Sequence, residues 1–222
     1  FMADSESRAG ERYATPQILE FMAETHHPAD AGLRDAFEAP SRHGMPEIQL
    51  GPAEGRLLEL LLRLNGARRV VEIGTLAGYS AIWMARALPP GGRLWTIEAD
   101  PDHAAIAREV FRRAGLTDRI TLVEGDAIEV LPKLSDSGPF CAVFIDADKA
   151  RYHRYGRWAT ENLRQGGLLI GDNAYLFGHV LEDTDAAVAM RRFHREMAEH
   201  YLSLCIPTPD GLAVGVRLDP KA

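Results

Sequence analysis

The hydrophobic pattern changes character at Val70. Before it, apolar positions recur at helical spacing and no run reads as a convincing strand. "TPQILEFMAETHHP" offers Thr15 as an N-cap with Pro16 in the first turn, and "PAEGRLLELLLRL" sets Leu57, Leu58, Leu61 and Leu64 at helical spacing. Between them, "EAPSRHGMPEIQLGP" is dense in Pro and Gly and reads as a loop beside or over a site. From Val70 onward the short apolar runs "VVEI", "LWTI", "ITLV", "AVFI" and "LLI" alternate with helical segments such as "YSAIWMARAL", "PDHAAIAREVFRRAG" and "RYHRYGRWATENL". This alternation predicts βαβ units, hence a parallel sheet with helices on both faces. "TDAAVAMRRFHREMAEH" adds a helix with Ala186, Met190, Phe193 and Met197 on one side, and "YLSLCIPTPDGLAVGVRL" reads as a terminal hairpin turning through Pro209, Asp210 and Gly211.

Right-handed crossovers between parallel strands place all their C-terminal ends on one edge of the sheet. "AVFI" ends in Asp146, with Asp148 and Lys149 just beyond, and "LLI" ends in Asp172 and Asn173, one crossover unit later. These groups are expected to converge on one rim.

Composition narrows the setting. A chain of 222 residues with 46% hydrophobic and 26% charged residues suits a single α/β domain, with residues 1–67 as a helical cap region and 68–222 as the core. The formal charge of -7 disfavours sequence-independent binding to nucleic-acid phosphates, and "RRFHRE" reads as a solvated helix face. Cys141 and Cys205 lie in apolar runs without CxxC spacing, which predicts buried, reduced thiols and a cytoplasmic setting. No apolar run reaches the length of a membrane span, and "FMADSESRAGERYATP" lacks the apolar core of a signal peptide.

Two stretches carry candidate chemistry. In "EIGTLAGYS", Gly74 and Gly78 allow a tight turn, and the helix that follows presents free amides to an anionic group. The next strand ends in Glu98, in register to accept hydrogen bonds from ribose hydroxyls. A nucleoside-containing ligand is expected, with NAD and S-adenosylmethionine as competitors. The GxxxG spacing disfavours a dinucleotide, whereas Glu72 and Ser80 suit a ligand with an ammonium and a carboxylate. Asp146, Asp172 and Asn173 offer hard oxygen donors suited to Mg²⁺ or Ca²⁺ rather than Zn²⁺. A lysine ammonium beside a divalent ion is disfavoured by like charge, which makes Lys149 a candidate base.

"EIGTLAGYSAIWMARALP", "DADKARYHRY", "GGLLIGDN" and the terminal "DGLAV" together resemble the small cation-dependent O-methyltransferases, the family of catechol and caffeoyl-CoA O-methyltransferases. The resemblance runs from about Ile48 to the C-terminus. It implies a Rossmann-like, doubly wound sheet of seven strands with the last antiparallel. It puts the metal, Mg²⁺ with Mn²⁺ or Ca²⁺ as alternatives, on Asp146, Asp172 and Asn173, and the base on Lys149 with Asp146 beside it. It puts S-adenosylmethionine against Leu50, Glu72, Gly74, Thr75, Ser80, Glu98, Ala127 and Asp146. Lys149, Asn173, Tyr175 and Met45 are the substrate candidates, with Phe177 and His43 further out. It also implies a homodimer acting on a small aromatic substrate. The chain departs from the pattern at Ile48, where relatives carry Met, and at Leu204, where the animal enzyme carries an acid nearby; both departures bear on the substrate. The alternatives are an NAD-dependent oxidoreductase and a catalytically silent S-adenosylmethionine-binding protein.

Overall fold

The computed structural model describes residues 15–26 and 29–218. The opening stretch before Thr15, and His27 and Pro28 at the end of the first helical pattern, lie outside the described residues. Among the described residues three helices precede the sheet: α1 (Pro16–His26), α2 (Ala31–His43) and α3 (Pro52–Asn65). Then follow β1 (Arg69–Ile73), α4 (Tyr79–Ala87), β2 (Arg93–Glu98), α5 (Pro101–Arg113), β3 (Ile120–Glu124) and α6 (Ala127–Leu134). The chain continues through β4 (Phe140–Ile145), α7 (Tyr152–Asn162), β5 (Leu163–Gly171), α8 (Asp185–His200), β6 (Tyr201–Ile206) and β7 (Leu212–Arg217).

The strands form one sheet of seven in the order β3-β2-β1-β4-β5-β7-β6. β1 to β5 are mutually parallel, while β7 runs antiparallel to both β5 and β6. Side chains alternate between the two faces of a strand, so Val70 packs against Leu58, Ile82, Trp83 and Met84 while Val71 and Ile73 pack with Leu131, Tyr155 and Phe193. Both faces of the inner strands are covered, which is why their sequences are almost wholly apolar. Glu72 is the buried exception in β1, whose other charged residue, Arg69, is exposed. Ile145 pairs with Gly171 and Ile73 with Ile145, so β1, β4 and β5 end side by side.

Three sequence expectations change. The Pro- and Gly-rich stretch is helical as far as His43, because Leu33, Ala36, Ala39 and Pro40 bury one face of α2. Asp30 caps its start by accepting from the Leu33 amide at 3.0 Å, and left-handed Gly44 ends it. Cys141 and Cys205 are unpaired but half-buried rather than buried. On α8 Ala187 joins the buried Met190, Phe193 and Met197, and Ala186 packs against the same cluster only partly buried.

Candidate active site

The site is assembled from turns at the C-terminal ends of β1 to β5. The first is the glycine-rich turn. Gly74 has φ 98, and a Cβ there would lie 2.0 Å from the Asp146 carbonyl oxygen, so only glycine lets β1 and β4 end this close together. Leu76 adopts a left-handed φ of 52, which disfavours a non-glycine residue by about 1–2 kcal/mol. Glu98 holds it there: its carboxylate accepts from the amides of Leu76 at 2.8 Å, Thr75 at 3.2 Å and Asp100 at 3.0 Å. α4 then starts at Gly78 with no side-chain cap, leaving its first amides to face an anionic group.

Beneath this turn Glu72 is fully buried. It accepts hydrogen bonds from Ser80 Oγ at 2.5 Å and Thr96 Oγ1 at 2.6 Å. Burial outweighs these bonds, and with repulsion from Asp146 and Glu98 it pushes the carboxyl up to about 8.

The rim of β4 and β5 carries the second group. The Asp146 amide donates to the Ile73 carbonyl at 2.9 Å and the Asp172 amide to the Ile145 carbonyl at 3.0 Å, which sets the two aspartates on adjacent strand ends. Burial raises Asp172 to about 7, with Asp146 and Glu54 pushing in the same direction and Lys149 opposing them. Asn173 follows with a left-handed φ of 50. Lys149 Nζ lies 3.0 Å from Asp146 Oδ1 and 5.2 Å from the centre of the Tyr152 ring. The Tyr152 hydroxyl lies 2.5 Å from the Ile145 carbonyl oxygen and 2.7 Å from that of Asp172; one proton serves both, tying the ends of β4 and β5 together.

A cavity of about 270 Å³ runs along these turns. Leu50, Gly74, Thr75, Ser80, Glu98, Ala127 and Asp146 all line it, as do Pro46, Ile48 and Gln49 from the segment between α2 and α3. Glu72 does not line it; it sits behind Ser80. Met45 is buried in the core away from the cavity wall, and His43 and Phe177 are exposed. Tyr175 lines a separate cavity of about 310 Å³ with His194, Arg191 and Cys205.

The donor set suits the two groups the sequence called for. The carboxylates of Asp146 and Asp172 and the side-chain amide of Asn173 offer hard oxygens at adjoining strand ends, the chemistry of a Mg²⁺ or Ca²⁺ site. Among the described residues no group of three or more His, Cys, Asp or Glu is placed to hold a metal, so a cation here would rest on the two aspartates, the Asn173 amide and oxygens from outside the chain. For a nucleoside with an amino-acid tail, Glu98, Ser80 and the open end of α4 supply acceptors and donors along one wall.

The model of a family described as O-methyltransferase matches residues 23–218. This chain belongs to that O-methyltransferase family. Among relatives, a catechol O-methyltransferase of Niastella koreensis is 45% identical over 170 residues, covering 74% of this chain and 77% of its own. A catechol O-methyltransferase of Mycobacterium tuberculosis is 41% identical over 187 residues, 83% of this chain and 84% of its own. Among solved structures, the O-methyltransferase TomG from Streptomyces achromogenes, in complex with SAM, superposes with a TM-score of 0.85 at 34% identity, over 91% of this chain and 96% of that one. Membership in the O-methyltransferase family replaces the oxidoreductase alternative.

The sequence reading left several residues of the cavity wall unassigned, among them Gln49, Tyr79, His103, Arg151 and Tyr155. Arg151 pairs with Asp126 at 2.6 Å and with Asp148, clamping the turn after β3 to the turn that carries Lys149. The i,i+3 spacing of Asp148 and Arg151 was a readable signal; the partnership with Asp126 across the sheet was not.

Proposed function

We propose that this enzyme transfers a methyl group from S-adenosylmethionine to a phenolic hydroxyl of a small vicinal dihydroxy-aromatic compound, with a divalent cation, Mg²⁺ first, as a required partner. One observation carries the reading: Asp146, Lys149, Asp172 and Asn173 sit on adjoining strand ends, and Asp146 also lines the cavity that holds Ser80 and Glu98. The names of the two relatives support the substrate class, and the SAM-bound neighbour supports the donor.

S-adenosylmethionine, when bound, supplies the methyl group on a sulfonium that is already a good leaving group. Asp146, Asp172 and Asn173 would hold the cation, whose contribution is Lewis acidity toward two adjacent oxygens. The remaining work falls to the chain. Glu98 accepts the ribose hydroxyls while keeping the glycine-rich turn in shape. Ser80, backed by Glu72, and the open end of α4 orient the amino-acid tail. Lys149 takes the phenolic proton at Nζ from its seat beside Asp146. Alignment of acceptor and donor is the main source of rate.

Turnover of a catechol should vanish on treatment with EDTA and return with Mg²⁺. Full turnover by a metal-stripped sample would overturn the cation requirement while leaving the methyltransferase assignment in place. A mono-hydroxy analogue should react far more slowly than the catechol, and equal rates would remove the vicinal requirement.

A further inference from the structure

Tyr155 is one of the polar groups of the cavity wall that the mechanism above leaves unused. Its side chain is 1% exposed, it lines the cavity, and its hydroxyl makes no hydrogen bond to any described residue. Nor is that oxygen among the sealed, unpartnered polar atoms of the interior, so the little of Tyr155 that is accessible includes its hydroxyl. A hydroxyl that opens into the cavity with no protein partner is free to donate to a group that enters there.

Strand order indicates which part of the donor that is. β1, β2 and β3 are successive neighbours, and their terminal turns contribute Gly74 to Ser80, Glu98 and Ala99, and Gly125 and Ala127 to the wall. With the amino-acid tail at β1 and the ribose at Glu98, the heterocycle falls toward the turn after β3. Arg151, one helical turn before Tyr155, is bonded to Asp126 of that same turn. Tyr155 lines the cavity together with Gly125, Ala127, Asp148 and Arg151, which places it in this corner.

We propose that Tyr155 recognises the donor's purine, its hydroxyl donating a hydrogen bond to a ring nitrogen. The inference rests on the methyltransferase reading. It makes Tyr155 a specificity residue for the base, distinct from Glu98, which reads the sugar.

Tyr155→Phe removes the hydroxyl and nothing else. The probes are S-adenosylhomocysteine and its deaza analogues, each with one ring nitrogen replaced by C–H, titrated by calorimetry without substrate. The variant should bind S-adenosylhomocysteine about three- to tenfold more weakly, the range for one neutral hydrogen bond. One deaza analogue should lose the same factor on the wild type and nothing more on the variant. The melting temperature of the ligand-free variant should not fall, since no bond within the protein is lost. Unchanged affinity for S-adenosylhomocysteine would overturn the proposal and leave the hydroxyl to solvent, as would equal losses across every analogue. A wild-type protein that binds none of the probes would instead overturn the donor assignment itself.

Discussion

Lys149 owes its position to neighbours that perform no chemistry themselves. Asp148 caps the short turn by accepting from the Ala150 amide at 2.9 Å, and Arg151 clamps Asp148 to Asp126, so the lysine leaves a fixed backbone toward Asp146. With its role confined to the proton, Lys149→Ala should lower kcat by about 10²- to 10⁴-fold while the calorimetric affinity for S-adenosylmethionine stays within about twofold. Higher pH should partly rescue the variant by ionising the phenol directly. A wild-type kcat at neutral pH would assign the proton to another group. The placement of Asp146, Asp172 and Asn173 on one rim was readable from sequence because they follow two apolar runs, and strand ends of parallel units share an edge. Glu72 was readable as a functional acid but not as a buried one. That fact depends on Ser80 and Thr96 closing over it, and Thr96 lies on the next strand. Arg151 and Tyr155 stayed hidden in a helical pattern that shows which residues face inward, not which reach a cavity built by distant turns.

At the scale of elements, the packing of α3 on α4 depends on Gly55. A Cβ there would stand 2.3 Å from the Trp83 indole nitrogen, while Arg56 lies over the same ring at 4.9 Å. Two effects oppose each other in Gly55→Ala. Alanine favours a helix interior over glycine by about 1 kcal/mol, whereas forcing an atom into a filled interface costs about 1–3 kcal/mol. The contact is with a rigid, buried ring, so overpacking should win and the urea midpoint should fall. A midpoint at or above wild type would show that α3 moves aside freely. Donor affinity should weaken as well, since Leu50, directly before the Gly51 cap of α3, lines the cavity. The helices, strands and hairpin were legible from period alone. The run of α2 through Pro40 was not, because burial of Ala36, Ala39 and Pro40 overrides the local signal for a break.

For the whole molecule, the raised carboxyls set the pH response. Glu72 titrates near 8 in the folded chain against an ordinary value of 4.5, and Asp172 near 7 against 3.8. Between those limits the folded state holds more protons than the unfolded state, so stability falls as pH rises from about 4.5 to about 8. The ion-paired Asp35 and Glu196, whose carboxyls lie below their usual range, act oppositely and lose their contribution as pH falls through the acid range. Urea midpoints of the ligand-free protein should therefore decline from about pH 5 to about pH 8, and Glu72→Gln should flatten much of that decline. An unchanged slope in the variant would assign the titration elsewhere. The strand order has a separate consequence, for the timing of assembly. β7 fills the gap between β5 and β6, and its turn supplies the carbonyls of Gly211 and Asp210 that receive the amides of Ala174 and Tyr175, just beyond Asn173. Synthesis proceeds from the N-terminus, so the exposed edge of β5 and the pocket rim beside it wait for the last strand to be made. A nascent chain can form the turns after β1, β2 and β3 early, but completes the rim beside Asn173 only once β7 has been made.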